Sequence, residues 1–167
     1  MELWDVYDEN RKLTGKKHER GVPLGPGGDH IIADVWTVNQ RSEILLTRRH
    51  PDKPYGLLWE CTGGSVLTGE NSVEGALREL SEEVGIHASK EELHLIHSIC
   101  LKERFVDTYI TRQKVNLEDL KLQAEEVVDA KFVVFDELME MWRQGIVVLK
   151  SRFLLYKDKI ESFIRPS

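Results

Sequence analysis

Three carboxylates, Glu79, Glu82 and Glu83, stand three and four residues apart in the segment Arg78-Glu-Leu-Ser-Glu-Glu-Val-Gly-Ile86. On an α-helix such spacings make side chains neighbours on one face. At about 100° per residue the three fall within roughly 100° of one another. Each like-charged i,i+3 or i,i+4 pair costs about 0.2–0.5 kcal/mol. Glu82 and Glu83 also occupy the last turn, where the helix dipole favours cations. Arg78 can relieve Glu82 at i+4, but one guanidinium does not balance three carboxylates. A divalent cation does. Hard oxygen donors at this density suit Mg²⁺ or Mn²⁺, ions that keep several waters and bind substrate phosphates directly. Taken alone, three clustered glutamates read as a solvated acidic face, so the decision rests on what surrounds them.

The helix that would carry them is well specified. Asn71 is a suitable N-cap and Glu74 stands at N3 to close a capping box, which predicts a helix from Ser72 to Val84. Gly85 can take the left-handed C′ position and let Ile86 fold back onto Leu80. Val73, Leu77, Leu80 and Val84 share a stripe roughly 60° wide that must face a core. The acidic group is centred about 140° from that stripe.

Strand-like runs surround this helix at Leu3 to Tyr7, His30 to Val38, Glu43 to Arg48, Leu57 to Thr62, Leu93 to Leu101, Phe105 to Val115 and Ala130 to Phe135. Asn10 to Arg20 reads as a polar, basic stretch, and Gly21 to Gly28 as a Gly/Pro-dense loop without a dinucleotide-binding glycine pattern. Two more helices are expected, Asp136 to Arg143 with Asp136 as N-cap, and Arg152 to Phe163. Strands and helices mix without regular alternation, which predicts a mixed sheet flanked by helices, an α/β fold.

Composition narrows the setting. The 167 residues suit one domain, 1–167. The balance of 41% hydrophobic and 31% charged residues is that of a soluble globular protein. Cys61 and Cys100 lack metal-ligand spacing and are expected to be core thiols in a reducing compartment. The acidic N-terminus is not a signal peptide, and no apolar run approaches the roughly 20 residues of a membrane span. A cytoplasmic protein is expected. Its net charge of −6 argues against a nucleic-acid polymer as partner. The same charge would repel a polyphosphate unless a bound cation inverted it locally.

The wider pattern is Gly64-x5-Glu70-x7-Arg78-Glu79-Leu80-x-Glu82-Glu83-x-Gly85-Ile86. It matches the Nudix box at every position, and seven fixed residues do not recur together by chance. The chain therefore resembles the Nudix hydrolases, with MutT-like pyrophosphatase activity. That resemblance implies an α/β/α sandwich with a mixed sheet. It implies hydrolysis of a diphosphate linkage, in a nucleoside diphosphate derivative or a related organic diphosphate, by water attack at phosphorus. Glu79, Glu82, Glu83 and the Gly64 backbone would hold Mg²⁺ or Mn²⁺. Arg78 would orient the carboxylates, and Glu70 would brace the loop. The general base would be Glu82 or a later-loop carboxylate, Glu126 or its neighbour Glu125. A small-molecule diphosphate would be the partner, and a homodimer remains open.

Trp4 to Asn10, His30, Leu45 to Arg49 and Gly56 to Trp59 also resemble Nudix-type isopentenyl-diphosphate isomerases and their hydrolase relatives. Those isomerases carry Cys-Gly-His ahead of the box, where this chain has Gly63-Gly64-Ser65. Cys61 lies two strand residues earlier, displaced by about 7 Å. The isomerase is the alternative reading, and a non-catalytic nucleotide-binding module is a third. The module is disfavoured because no box carboxylate is missing. His18 and His30 are expected to be structural or surface residues. Trp4, Trp36, Trp59, Phe105 and Tyr109 could line a site, but each is more often core at such a spacing.

Overall fold

Alternation along His30–Val38 (β3) decides the architecture. Ile31, Ala33 and Val35 enter one apolar cluster, together with Ala76, Leu80 and Val84 of the helix Ser72–Val84 (α1). Trp36 and Val38 enter a second cluster on the other face. That cluster also holds residues of Phe135–Arg143 (α2), Lys150–Phe153 (α3) and Lys157–Ile164 (α4). Side chains of successive strand residues point to opposite faces, so one strand feeds two cores. The result is a three-layer α/β/α arrangement with a mixed sheet, as expected. This computed structural model describes residues 1–23, 28–148 and 150–165.

The sheet has seven strands. Its main path runs from Trp59–Glu60 (β5) through Ile44–Arg49 (β4), β3 and Arg104–Arg112 (β8) to His94–Leu101 (β7). Thr62–Ser65 (β6) pairs with β3, and Val127–Val133 (β9) with β4. The β3–β8 pair is parallel from His30↔Arg104 to Val38↔Arg112, and the other ladders are antiparallel. A separate two-stranded ribbon joins Leu3–Tyr7 (β1) to Leu13–Glu19 (β2).

Several elements depart from the sequence reading. Residues read as a polar stretch form β2, held by pairing with β1 alone and exposed along nearly its whole length. The run Leu57 to Thr62 splits: Leu57 turns with φ 67°, β5 pairs with β4, and β6 pairs with β3. The run from Phe105 ends at Arg112, and the last strand starts at Val127 rather than Ala130. The second helix starts at Phe135, with Val134 at its N-cap, so Asp136 lies in the first turn and does not cap. The expected closing helix is broken after Phe153, and Leu154 and Leu155 are exposed at the break. Residues 24–27 of the Gly/Pro-dense segment lie outside the described residues. Cys100 is exposed on β7, not buried, because this strand lies at the end of the sheet's path and turns that side chain outward.

The helix α1 follows its signals closely. Asn71 Oδ1 accepts the Glu74 N–H at 2.8 Å, and Glu74 Oε2 accepts the Asn71 N–H at 3.0 Å. Gly85 is left-handed, with φ 74°, and Leu80 and Ile86 pack in one core. The apolar stripe faces the core as expected, with all four residues on one cluster, but burial extends beyond it. Gly75, Ala76, Leu80, Glu83 and Val84 are buried, whereas Val73 and Leu77 are half-buried. Gly75 explains part of this extension, since a Cβ there would stand 2.8 Å from Val66 Cγ2. A small residue lets the helix close on that side, and the carboxylate edge turns inward.

Candidate active site

A cavity of about 490 Å³ opens where α1 meets the sheet. Glu79, Glu82 and Glu83 line it from α1, beside Gly63, Gly64 and Ser65 of β6. Packing here is close. A Cβ at Gly64 would sit 2.5 Å from Cδ of Glu79, and one at Gly63 would sit 2.7 Å from the Ala33 carbonyl oxygen. These glycines bring the helix carboxylates against the strand.

Arg78 organises the acidic edge. Its Nε donates to Glu70 Oε1 at 2.7 Å, and its Nη2 donates to the Ser65 carbonyl at 2.9 Å. Nη1 donates to Glu79 Oε1 at 2.9 Å and Glu82 Oε2 at 3.2 Å. Glu70 in turn accepts the Leu67 N–H at 2.9 Å, so one network ties loop, strand and helix. The three carboxylates then differ by environment. Glu82 is about half exposed. Burial pushes the Glu79 carboxyl up, against the pull of Arg78. Glu83, only 5% exposed, is pushed well above the usual carboxylate range by burial, then by the negative charges of Glu79 and Glu60.

The loop after β8 supplies Glu126, which lines the cavity and pairs with Lys53, while Glu125 is exposed and lies outside the cavity lining. This loop is hung from α1: the Lys121 N–H donates to the Val84 carbonyl and the Gln123 N–H to the Glu83 carbonyl, both at 2.9 Å. The structure thus brings Gly64, Glu79, Glu82, Glu83 and Glu126 to one cavity, with Arg78 bonded to two of them.

Sequence reasoning missed other cavity residues. Glu60 bonds Arg49 at 2.8 Å and is raised by burial. Asp34 is buried on β3 and accepts from Arg152 Nη2 at 2.7 Å. A lone aspartate inside the apolar run His-Ile-Ile-Ala-Asp-Val-Trp was the available signal. Cys61 also lines the cavity. Burial, then Asp34 and Glu60, hold its thiol well above the ordinary range. Of the aromatic candidates only Trp36 reaches the cavity, together with Tyr55 and Tyr156. Phe105 and Tyr109 are core, and Trp59 packs on the second cluster between Arg48 and Lys131. Trp4 stacks on His30 at 4.2 Å and lies near His18, so both histidines are structural partners of the β1–β2 ribbon.

A sequence model of the NUDIX domain matches residues 28–153, three-quarters of the chain. The chain belongs to the Nudix family. A Nudix hydrolase of Listeria monocytogenes is 40% identical over 147 residues, 87% of each chain. One of Clostridium acetobutylicum is 31% identical, covering 82% of this chain and 72% of that one. Among solved structures, a Deinococcus radiodurans protein superposes with TM-score 0.72 at 17% identity, covering 87% of this chain and 91% of that one. That likeness concerns the fold alone. The enzyme is a Nudix pyrophosphohydrolase, and this family generally uses divalent metal ions. Among the described residues no three His, Cys, Asp or Glu side chains already converge as a closed ligand set. The donors nonetheless fit a hard cation that keeps waters. Glu83 is buried among negative charges and has no ion-pair partner among the described residues. No helix of the described residues is long and apolar enough to cross a membrane.

Proposed function

We propose that this Nudix hydrolase cleaves the diphosphate linkage of a small organic diphosphate, a nucleoside diphosphate derivative or a related compound, by water attack at phosphorus. One observation carries the reading: the box carboxylates, Glu83 buried among them, face a cavity that also holds Arg20, Arg49, Lys53, Arg104 and Arg152. Carboxylates alone would repel a diphosphate, and arginines alone would bind it without activating water.

Glu79, Glu82, Glu83 and the Gly64 backbone hold Mg²⁺ or Mn²⁺ in this reading. When bound, the ion neutralises phosphate charge and lowers the pKa of water. Arg78 acts as a positioning residue, fixing the rotamers of Glu79 and Glu82 through a fork that also grips Glu70 and Ser65. Lys53 lies beside Glu126 and is placed to contact a phosphate oxygen in its stead. Release of Lys53 frees Glu126 to accept a proton from the attacking water. Glu82, the most exposed box carboxylate, is the other base candidate. The net charge of −6 supports a small molecule rather than a nucleic-acid polymer as substrate. We read residues 1–167 as one catalytic domain.

The test is product analysis on a panel of diphosphates. EDTA should abolish release of the cleaved phosphates, and Mg²⁺ or Mn²⁺ should restore it. Glu82→Gln and Glu126→Gln identify the base by which one removes the fall of kcat at acid pH. Undiminished turnover in excess chelator would sink the metal-assisted reading.

A further inference from the structure

Among the described residues, charges around the cavity pair off with one exception of each sign. Arg20 meets Glu2 at 2.8 Å, Arg49 meets Glu60 at 2.8 Å, Arg152 meets Asp34 at 2.7 Å, and Lys53 meets Glu126. Glu79 and Glu82 share Arg78. Among the described residues this leaves Glu83 as the unpaired acid. Arg104, half-buried at the start of β8, is the unpaired base. Its Nε is shielded from solvent and has no acceptor, and the same holds for Nε of Arg152. Arg152 is itself only 8% exposed. Buried donors without acceptors are costly, more so on a charged group.

The two arginines line the same cavity. Both act electrostatically on Asp34, which lies on the cavity side of β3 with Ile32 and Trp36. Among the described residues only Arg152 is within ion-pair distance of Asp34, so the charge of Arg104 remains unanswered. Of the cavity rings, Trp36 and Tyr156 offer no stacking face, being 3% and 4% exposed, whereas Tyr55 is exposed. With those two rings buried, Arg104 and Arg152 offer charge and hydrogen bonding for recognition.

We propose that Arg104 and Arg152 form a second anion subsite, which receives a phosphate or carboxylate carried by the organic half of the substrate. The substrate class narrows accordingly, to diphosphates whose leaving portion bears a further anionic group. This rests on the diphosphate-hydrolase reading above. Arg104 is the specificity-determining residue, because its charge is not already spent on a carboxylate. Arg152, held by Asp34, presents its remaining donors in a fixed orientation.

The subsite can be tested without turnover. The full chain, ¹⁵N-labelled and held in EDTA, is titrated separately with inorganic phosphate and with acetate while the arginine Nε–H signals are followed by NMR. Saturable shifts of the Arg104 and Arg152 signals are expected, and the more effective probe tells phosphate from carboxylate. Arg104→Gln should lose the response, and Arg104→Lys should retain a weakened one. Their circular dichroism should match the parent, and if either variant fails to fold the parent titration decides alone. No saturable shift with either probe, or shifts confined to other arginines, overturns the proposal. In kinetics, a diphosphate ester bearing a second phosphate should exceed its dephosphorylated counterpart in kcat/KM by about tenfold or more. Arg104→Gln should bring that ratio to about one. Absence of turnover on every diphosphate would defeat the hydrolase reading while leaving the anion titration to stand or fall separately.

Discussion

Replacing Gly64 by alanine tests whether the placement of Glu79 against β6 matters to catalysis. A Cβ there would stand 2.5 Å from Glu79 Cδ, whereas ordinary contact begins near 3.4 Å. The difference, 3.4 − 2.5, asks the carboxylate to retreat by about 0.9 Å. The atoms in the way end a side chain, and Gly64 does not hold a left-handed φ, so the fold can adapt. The stability cost should sit near 1 kcal/mol, the low end for overpacking, which in a chain of this size lowers Tm by about 2–4 °C. Catalysis should suffer more. Moving Glu79 by that distance strains its 2.9 Å bond to Arg78. A misplacement of about 1 Å can cost on the order of 100-fold in rate, or about 2.7 kcal/mol of barrier. Gly63→Ala is the control for packing. Its Cβ would meet the Ala33 carbonyl oxygen at 2.7 Å and Asp34 Cα at 3.0 Å. Backbone cannot retreat, so a loss near 3 kcal/mol is expected. Melting curves and kcat/KM are measured on both proteins. A Gly64→Ala enzyme with parental kcat/KM and a lowered Tm would refute the reasoning, because the contact would then be structural alone.

Arg78→Lys keeps the charge but cannot fork among Glu70, Glu79, Glu82 and Ser65. Thermal melts should show a loss of about 1–3 kcal/mol, and kcat should fall at least about tenfold. Of the two thiols, exposed Cys100 should react with iodoacetamide first near pH 8, and Cys61 only on unfolding, as read by mass spectrometry. Cys61 keeps its proton more firmly in the folded state than in the unfolded one. Folding stability should therefore decline as pH rises above about 9, the usual thiol value, and Cys61→Ala should remove that decline in a Tm-versus-pH series.

The box helix was legible because its instructions are local. Asn71, Glu74 and Gly85 each act within one turn of the backbone they cap, and the fold class followed from runs of alternating residues. The burial of Gly75 and Glu83 beside the apolar stripe was not legible, since it depends on Val66 and β6 lying where Gly75 and Gly64 admit them. The site's second half was hidden for a different reason. Asp34 and Arg152 are 118 residues apart, and Arg104 acquires meaning only through the parallel pairing of β8 with β3. β2 carries no burial pattern at all, so nothing in its residues announces a strand. Cys61 packs against the second cluster, as expected of a core thiol, and its place in the cavity lining was not legible.

The loop suspended from the end of α1 has a thermodynamic consequence. Its amides of Lys121 and Gln123 close the carbonyls of Val84 and Glu83, and a few residues later it delivers Glu126. Opening the last helical turn and releasing this loop are therefore one event rather than two, a shared unit of local unfolding. Amide exchange at Lys121 and Gln123 should report the same opening free energy as the last turn of α1. In such an excursion Glu83 and Glu126 leave the cavity together, so the enzyme passes from fully assembled to fully disarmed.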